Sequence, residues 1–174
     1  SFYNINDTYG IANRETTSIC KDADGFTWIA SKTGIMRLTD SDCRVYQLPY
    51  ESMAVVSVEI TWQENRLLAF TNKGEIFCYN PRHDSFERFF NFSQQMNVAN
   101  LWVFNLEVDR DGSLWIASSR GLYYYKDNRC TLITQTAGEA YHTKRYDARH
   151  LIAAGPGGIF LVDTKQHHVE RWSG

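Results

Sequence analysis

The pattern Asp-x-Asp-Gly-x-x-Trp-Ile-Ala-Ser-x-x-Gly occurs twice in this chain, at 22–34 and again at 109–121. Its first half is turn chemistry. Asp bonds its own backbone, and Gly supplies the positive φ that a tight turn needs. Its second half is a short run of β-branched and aromatic residues, which reads as a strand. The closing Gly ends that strand and opens another. The unit is therefore turn, strand, turn, strand, and a chain that repeats it must stack strands in regular groups.

Anchoring on the glycine after each apolar run gives Gly34, Gly74, Gly121 and Gly158, spaced 40, 47 and 37 residues apart. Propeller blades recur with a period of roughly 40–45 residues. The runs before Gly74 (Arg66 to Lys73) and Gly158 (Arg149 to Gly157) have lost the Trp but keep the apolar stretch. Strands are expected before the anchor at 16–21, 55–62 and 103–109. After it they are expected at 35–38, 76–79, 122–125 and 159–163, with a last, more polar strand at 44–48, 86–90, 130–133 and 169–172. Val169-Glu170-Arg171-Trp172 and Phe86-Glu87-Arg88-Phe89 alternate as half-exposed strands do, whereas Trp28-Ile29-Ala30 is continuous, as in a strand covered on both faces. Residues 91–100 offer one turn of helix, and 134–146 reads as a long irregular connection.

The expected fold is all-β: a β-propeller of four four-stranded blades at about 14–48, 53–90, 100–133 and 141–172. Phe2-Tyr3-Asn4-Ile5 reads as a leading strand without a partner of its own, the kind that completes a last blade and seals a ring. This favours part of a larger ring over a closed four-bladed one, and such a part exposes two apolar blade faces.

The formal charge of −2 and pI near 6.2 give no footprint for nucleic acid or an anionic surface. No apolar run approaches a membrane span, and no signal segment is present. Cys20, Cys43, Cys78 and Cys130 are scattered beside strands without a Cys-x-x-Cys pair, so no zinc site is expected; buried free thiols are the favoured reading, and a disulfide, which the sequence cannot pair, stays open.

The run Tyr9-Gly10-Ile11-Ala12-Asn13, then Thr17-Ser18-Ile19, then Asp22 to Gly34 and Ile35-x-Arg37-Leu38 resembles the opening blade of the regulator-propeller sensors. These are the extracytoplasmic halves of hybrid two-component histidine kinases of polysaccharide-degrading gut bacteria. That family usually has Gly-Thr where this chain has Ala30-Ser31, and Ser where it has Ala12. The resemblance is strong in the first and third units and loose in the second and fourth. It implies the amino-terminal half of a seven-bladed propeller, in contact with the remainder of its own ring. It further implies a membrane receptor that dimerises, facing the periplasm from the inner membrane. Its signal would be an oligosaccharide, and its output transcription of polysaccharide-utilisation genes. Kinase chemistry would belong elsewhere in the parent chain.

No catalytic constellation stands out, and no cofactor or metal is expected. Asp22-x-Asp24-Gly25 and Asp109-x-Asp111-Gly112 open like calcium loops, but their twelfth positions are Thr33 and Arg120, so structural turns are expected. Trp28 and Trp115 are expected to pack between blades rather than stack on sugars. His83, His142, His150, His167 and His168 have no metal-ligand spacing. Binding positions follow only from blade geometry. Loops joining second to third strands offer Lys32, Asn72, Lys73, Arg120 and Pro156. Blade-to-blade loops offer Tyr50, Glu51, Gln94, Gln95, Asn97, Asn100, Trp102, Tyr141 and His142. Of these, Lys32, Asn72, Lys73, Arg120, Trp102, Tyr141 and His142 are the candidate ligand contacts. Amides and guanidinium groups pair with hydroxyls, and aromatic rings cover a sugar's apolar face. The alternatives are a scaffold propeller for dimerisation and signal coupling, and a propeller lyase or hydrolase.

Overall fold

A computed structural model describes residues 15–32, 34–49, 58–98, 100–133 and 139–172. The expected leading strand at 2–5, the start of the expected strand at 55–57, and Tyr50 and Glu51 lie outside the described residues. The chain divides into two compact units, 1–92 and 93–174.

The first unit holds two sheets, each an antiparallel meander of four strands in sequence order. One comprises β1 (Thr16–Lys21), β2 (Thr27–Ser31), β3 (Gly34–Leu38) and β4 (Cys43–Tyr46). The other comprises β5 (Val58–Gln63), β6 (Arg66–Thr71), β7 (Glu75–Asn80) and β8 (Ser85–Asn91). Trp28, Ala30, Ile35 and Tyr46 of the first sheet pack with Val58, Ile60, Leu67, Ala69, Phe77 and Phe86 of the second. The rings of Trp28, Tyr79 and Phe86 meet edge-on or tilted at 4.9–5.9 Å, where ring quadrupoles attract. The sheets are also tied by polar groups. The Ser18 hydroxyl accepts the Ile60 N–H (2.7 Å), and Asp84 accepts the Tyr46 and Tyr79 hydroxyls (2.7 and 2.5 Å).

The second unit repeats the plan. One meander comprises β9 (Val103–Val108), β10 (Leu114–Ser118), β11 (Gly121–Lys126) and β12 (Arg129–Ile133). The other comprises β13 (His142–Arg145), β14 (His150–Gly155), β15 (Gly158–Asp163) and β16 (Val169–Arg171). Trp115, Ala117, Leu122 and Ile133 pack with Leu151, Ala153, Phe160, Val162 and Val169. The one-turn helix expected within 91–100 is α1 (Phe92–Met96).

One expectation fails. The stretch 134–146, read as irregular, carries β13, the first strand of the last sheet. Its sequence, His-Thr-Lys-Arg, buries only Thr143, so no apolar alternation announces it. It is held by its backbone instead: the Tyr141 N–H donates to Ala154 O (2.9 Å) and the Thr143 N–H to Asn105 Oδ1 (3.0 Å). The four thiols are free, as expected, but each is half-buried rather than buried.

The repeated motif is a clamp. Gly25 N–H donates to Asp22 O and Gly112 N–H to Asp109 O, closing the turn in each copy. The same aspartates accept the indole N–H six residues on: Trp28 Nε1 to Asp22 Oδ2 at 2.7 Å, and Trp115 Nε1 to Asp109 Oδ2 at 3.3 Å. The buried serine of each copy donates to the carbonyl of the closing glycine, Ser31 to Gly34 and Ser118 to Gly121. A Cβ on Gly34 would stand 2.8 Å from Tyr46 O, and its φ of +149° is one that side chains avoid. Glycine is required there for both reasons.

Candidate functional site

Two aspects of the second unit position its open surfaces. The second-to-third strand turn and the connection into β13 lie at one end of its sheets. The first-to-second and third-to-fourth strand turns lie at the other.

At the first end, Trp102, Phe104, Ser119, Glu139, Tyr141 and His142 line an open groove of about 630 Å³. Its floor is fixed by backbone. The Ser119 N–H donates to Trp102 O (2.9 Å), the Trp102 N–H to Ser119 Oγ (3.1 Å), and the Ala140 N–H to Ser118 O (3.0 Å). A Cβ on Gly155 would fall 2.1 Å from Glu139 O, so the absent side chain lets the connection into β13 lie this close. The Phe104 and Tyr141 rings stand edge to face at 5.1 Å and 87°. Tyr141 is 40% exposed although held, because its hydroxyl donates to Glu139 Oε2 at 2.5 Å. That bond pushes the phenol above its ordinary pKa, with partial desolvation acting in the same direction. Glu139 is the one carboxylate of the lining, and no Lys or Arg stands with it. The groove thus combines three aromatic rings with a hydroxyl, a carboxylate and an imidazole.

Three of the seven candidate contacts, Trp102, Tyr141 and His142, come together here. Phe104, Ser119 and Glu139 join them without having been singled out. Phe104 and Ser119 are visible in the sequence only as members of a strand and a turn, and nothing in the pattern marks Glu139. Arg120 lies in the turn beside Ser119, its N–H on Ser118 Oγ (3.2 Å), but does not line the groove. Lys32, Asn72 and Lys73 belong to the first unit. Lys32 pairs with Glu15. Asn72 is 7% exposed, and its Oδ1 has no hydrogen-bond partner among the described residues. Gln95 is spent within its own unit, donating to Asn128 O (2.6 Å). Trp28 and Trp115 are 1% and 0% exposed, so neither indole face is open to a ligand.

The fold of this chain recurs in solved structures. An extracellular domain described as that of the hybrid two-component system BT3049 from B. thetaiotaomicron matches with a TM-score of 0.67 at 17% identity, over 92% of this chain and 25% of that one. The corresponding domain of BT4673 from the same organism matches with 0.71 at 17% identity, over 90% and 22%. The WD40 β-propeller domain of Doa1 matches with 0.67 at 15% identity, over 90% and 53%.

The chain is a partial β-propeller.

At these identities the likeness is one of fold, and the chain spans about a quarter of the two extracellular domains it matches. Those domains are of the class that the blade motif resembles. No protein-family model matches the sequence, and no curated protein matches it. Among the described residues of this propeller segment, no helix is long and apolar enough to cross a membrane, and no group of three or more His, Cys, Asp or Glu could hold a metal ion.

Proposed function

We propose that this propeller segment belongs to an extracytoplasmic sensor of the hybrid two-component kind, and that its groove takes a neutral oligosaccharide. One observation carries the ligand class: three aromatic rings, Trp102, Phe104 and Tyr141, share one open surface with the hydrogen-bonding groups of Ser119, Glu139 and His142. Ring faces cover the apolar C–H face of a sugar while the polar groups bond its hydroxyls. The lone carboxylate of Glu139 disfavours an acidic sugar in the same place. The resemblance of the blade motif, and the fold shared with the two B. thetaiotaomicron domains, support the receptor context. In that context the parent chain is a membrane receptor, its propeller facing the periplasm. Ligand bias between two conformations would be passed to a kinase that governs polysaccharide-utilisation genes.

A second reading, a scaffold role, is favoured by a specific surface. On the sheet β13–β16, Tyr146 and Trp172 stack edge to face at 5.4 Å beside Ile159, and the three are 55%, 38% and 48% exposed. We read this face as a seat for a further blade of the parent propeller, or for a second protomer of a dimer.

Titration calorimetry of the chain against neutral and uronic-acid oligosaccharides separates the readings. Saturable heat is expected with a neutral oligosaccharide. Trp102→Ala should weaken it at least about tenfold, a loss of ~1.4 kcal/mol. Heat that is unchanged in Trp102→Ala would remove the groove from the account, and turnover of a glycan would make the segment an enzyme instead.

A further inference from the structure

At the opposite end of the second unit, the turns between first and second strands and between third and fourth strands enclose a cavity of about 650 Å³. Arg110, Lys126, Arg149 and Lys165 line it, together with Asp109, Asp111, Tyr124, Thr164 and His167. The chain as a whole carries a formal charge of −2, yet this lining holds four cations against two carboxylates. The acids are already spent. Asp109 accepts the Trp115 indole N–H and pairs with Arg145 (3.2 Å). Asp111 accepts Lys126 Nζ (2.6 Å) and the Ser113 hydroxyl (2.5 Å). Asp163, behind the lining, takes Arg149 Nε and Nη2 on one oxygen and the Lys165 and Gln166 N–H groups on the other.

The cations are not spent. The Arg110 and Lys165 side chains have no ion pair or hydrogen bond to any described residue. Lys126 and Arg149 each retain donors beyond those on Asp111 and Asp163. The frame is also rigid. Thr164 donates through both its N–H and its hydroxyl to Arg149 O (2.8 Å each), and the His167 ring packs on Tyr124 and Trp115 at 4.4 and 5.3 Å. The backbone that carries the four cations is held, and their free donors, set among neutralised acids, are available to an anion.

We propose that this cavity is a binding site for a small oxyanion, a phosphate, sulfate or carboxylate group, held chiefly by Arg110 and Lys165. The site is independent of the groove and of the ligand read for it. The test is a heteronuclear NMR titration of the isotopically labelled chain with inorganic phosphate and with sulfate. Sodium chloride holds ionic strength constant, so that screening does not imitate binding. Saturable shifts are expected at the amides of Arg110, Asp111, Lys165 and His167. The double variant Arg110→Gln, Lys165→Gln should weaken them at least about tenfold, whereas Arg120→Gln at the other end should leave them unchanged. Asp111→Asn, which releases Lys126, should tighten binding. Glucuronate distinguishes the sources: tighter binding than phosphate assigns the anion to an acidic sugar, and equal or weaker binding assigns it to a free oxyanion. Shifts that never saturate, or that are the same in the double variant and in Asp111→Asn as in the parent chain, would overturn the site.

Discussion

An indole N–H that is fully covered must find an acceptor, and Asp22 and Asp109 provide one for Trp28 and Trp115. The acid that looked like half of a cation site is instead the acceptor of a packing residue. Truncation should show this directly. Asp22→Ala or Asp109→Ala should cost about 1–3 kcal/mol, the penalty for orphaning a buried donor. Asp24→Ala, an exposed acid of the same turn, should change stability by less than about 0.5 kcal/mol. Urea denaturation reads the difference as a shift in midpoint at constant slope, and equal losses for Asp22 and Asp24 would contradict the clamp. The thiols give a second test at this scale. Burial pushes Cys20 and Cys130 up to about 11, with the Asp22 charge adding to the effect at Cys20. Since the thiolate is the nucleophile, both should alkylate about two orders of magnitude more slowly than a free cysteine at neutral pH. All four should react quickly in denaturant.

The sheets are joined by a few polar groups at defined positions, and Asp84 in the turn between β7 and β8 is the most heavily used. Partial burial pushes its carboxyl up, but the hydroxyls of Tyr79 and Tyr46, with Arg37 and Arg44, outweigh that and hold it below the usual carboxylate value. A depressed folded pKa means stability that is present above the ordinary carboxylate range and is lost as pH falls through the folded value. Stability measured from pH 6 downward should therefore decline in part through Asp84, and Asp84→Asn should start lower and show a shallower acid slope. An unchanged slope would contradict the assignment. The same scale shows what the sequence revealed and what it hid. β2 and β10 were legible because Trp-Ile-Ala-Ser is apolar on both faces and stands between two turn signals. The strand register sets Leu68 and Ile152 where the first sheet of each unit has Trp28 and Trp115, so the Trp could vanish while the strand survived. β13 was hidden because it buries a single side chain and is held by the backbone N–H groups of Tyr141 and Thr143, on the Ala154 carbonyl and the Asn105 side-chain oxygen, which no apolar alternation within 142–145 announces.

For the molecule as a whole, periodic glycines and strand-length apolar runs made the propeller readable, because each blade must satisfy the same packing rule. The candidate site was readable only in part. Trp102, Tyr141 and His142 could be placed by blade geometry, since a loop's position follows from topology. Phe104 could not, because which strand residue faces a groove depends on how two sheets meet, and Glu139 could not, because it lies in an irregular connection that no pattern marks. Arg120, chosen from the same reasoning, points to the limit of that method: it lies in the right turn and outside the groove. The two open surfaces of the second unit have opposite chemistry, an aromatic groove with one acid at one end and a cation-rich cavity at the other. They should therefore select different ligands, and a charge change at either should leave the other unaffected.

The groove is the centre of the functional account, and one comparison tests it most directly. It is the calorimetric titration of a neutral oligosaccharide panel into the parent chain and into the Trp102→Ala, Tyr141→Ala double variant. The account predicts saturable binding of at least one neutral oligosaccharide by the parent chain, and loss of that binding in a variant that keeps its fold. Binding that survives in the double variant, or no binding by the parent chain to any member of the panel, would contradict it.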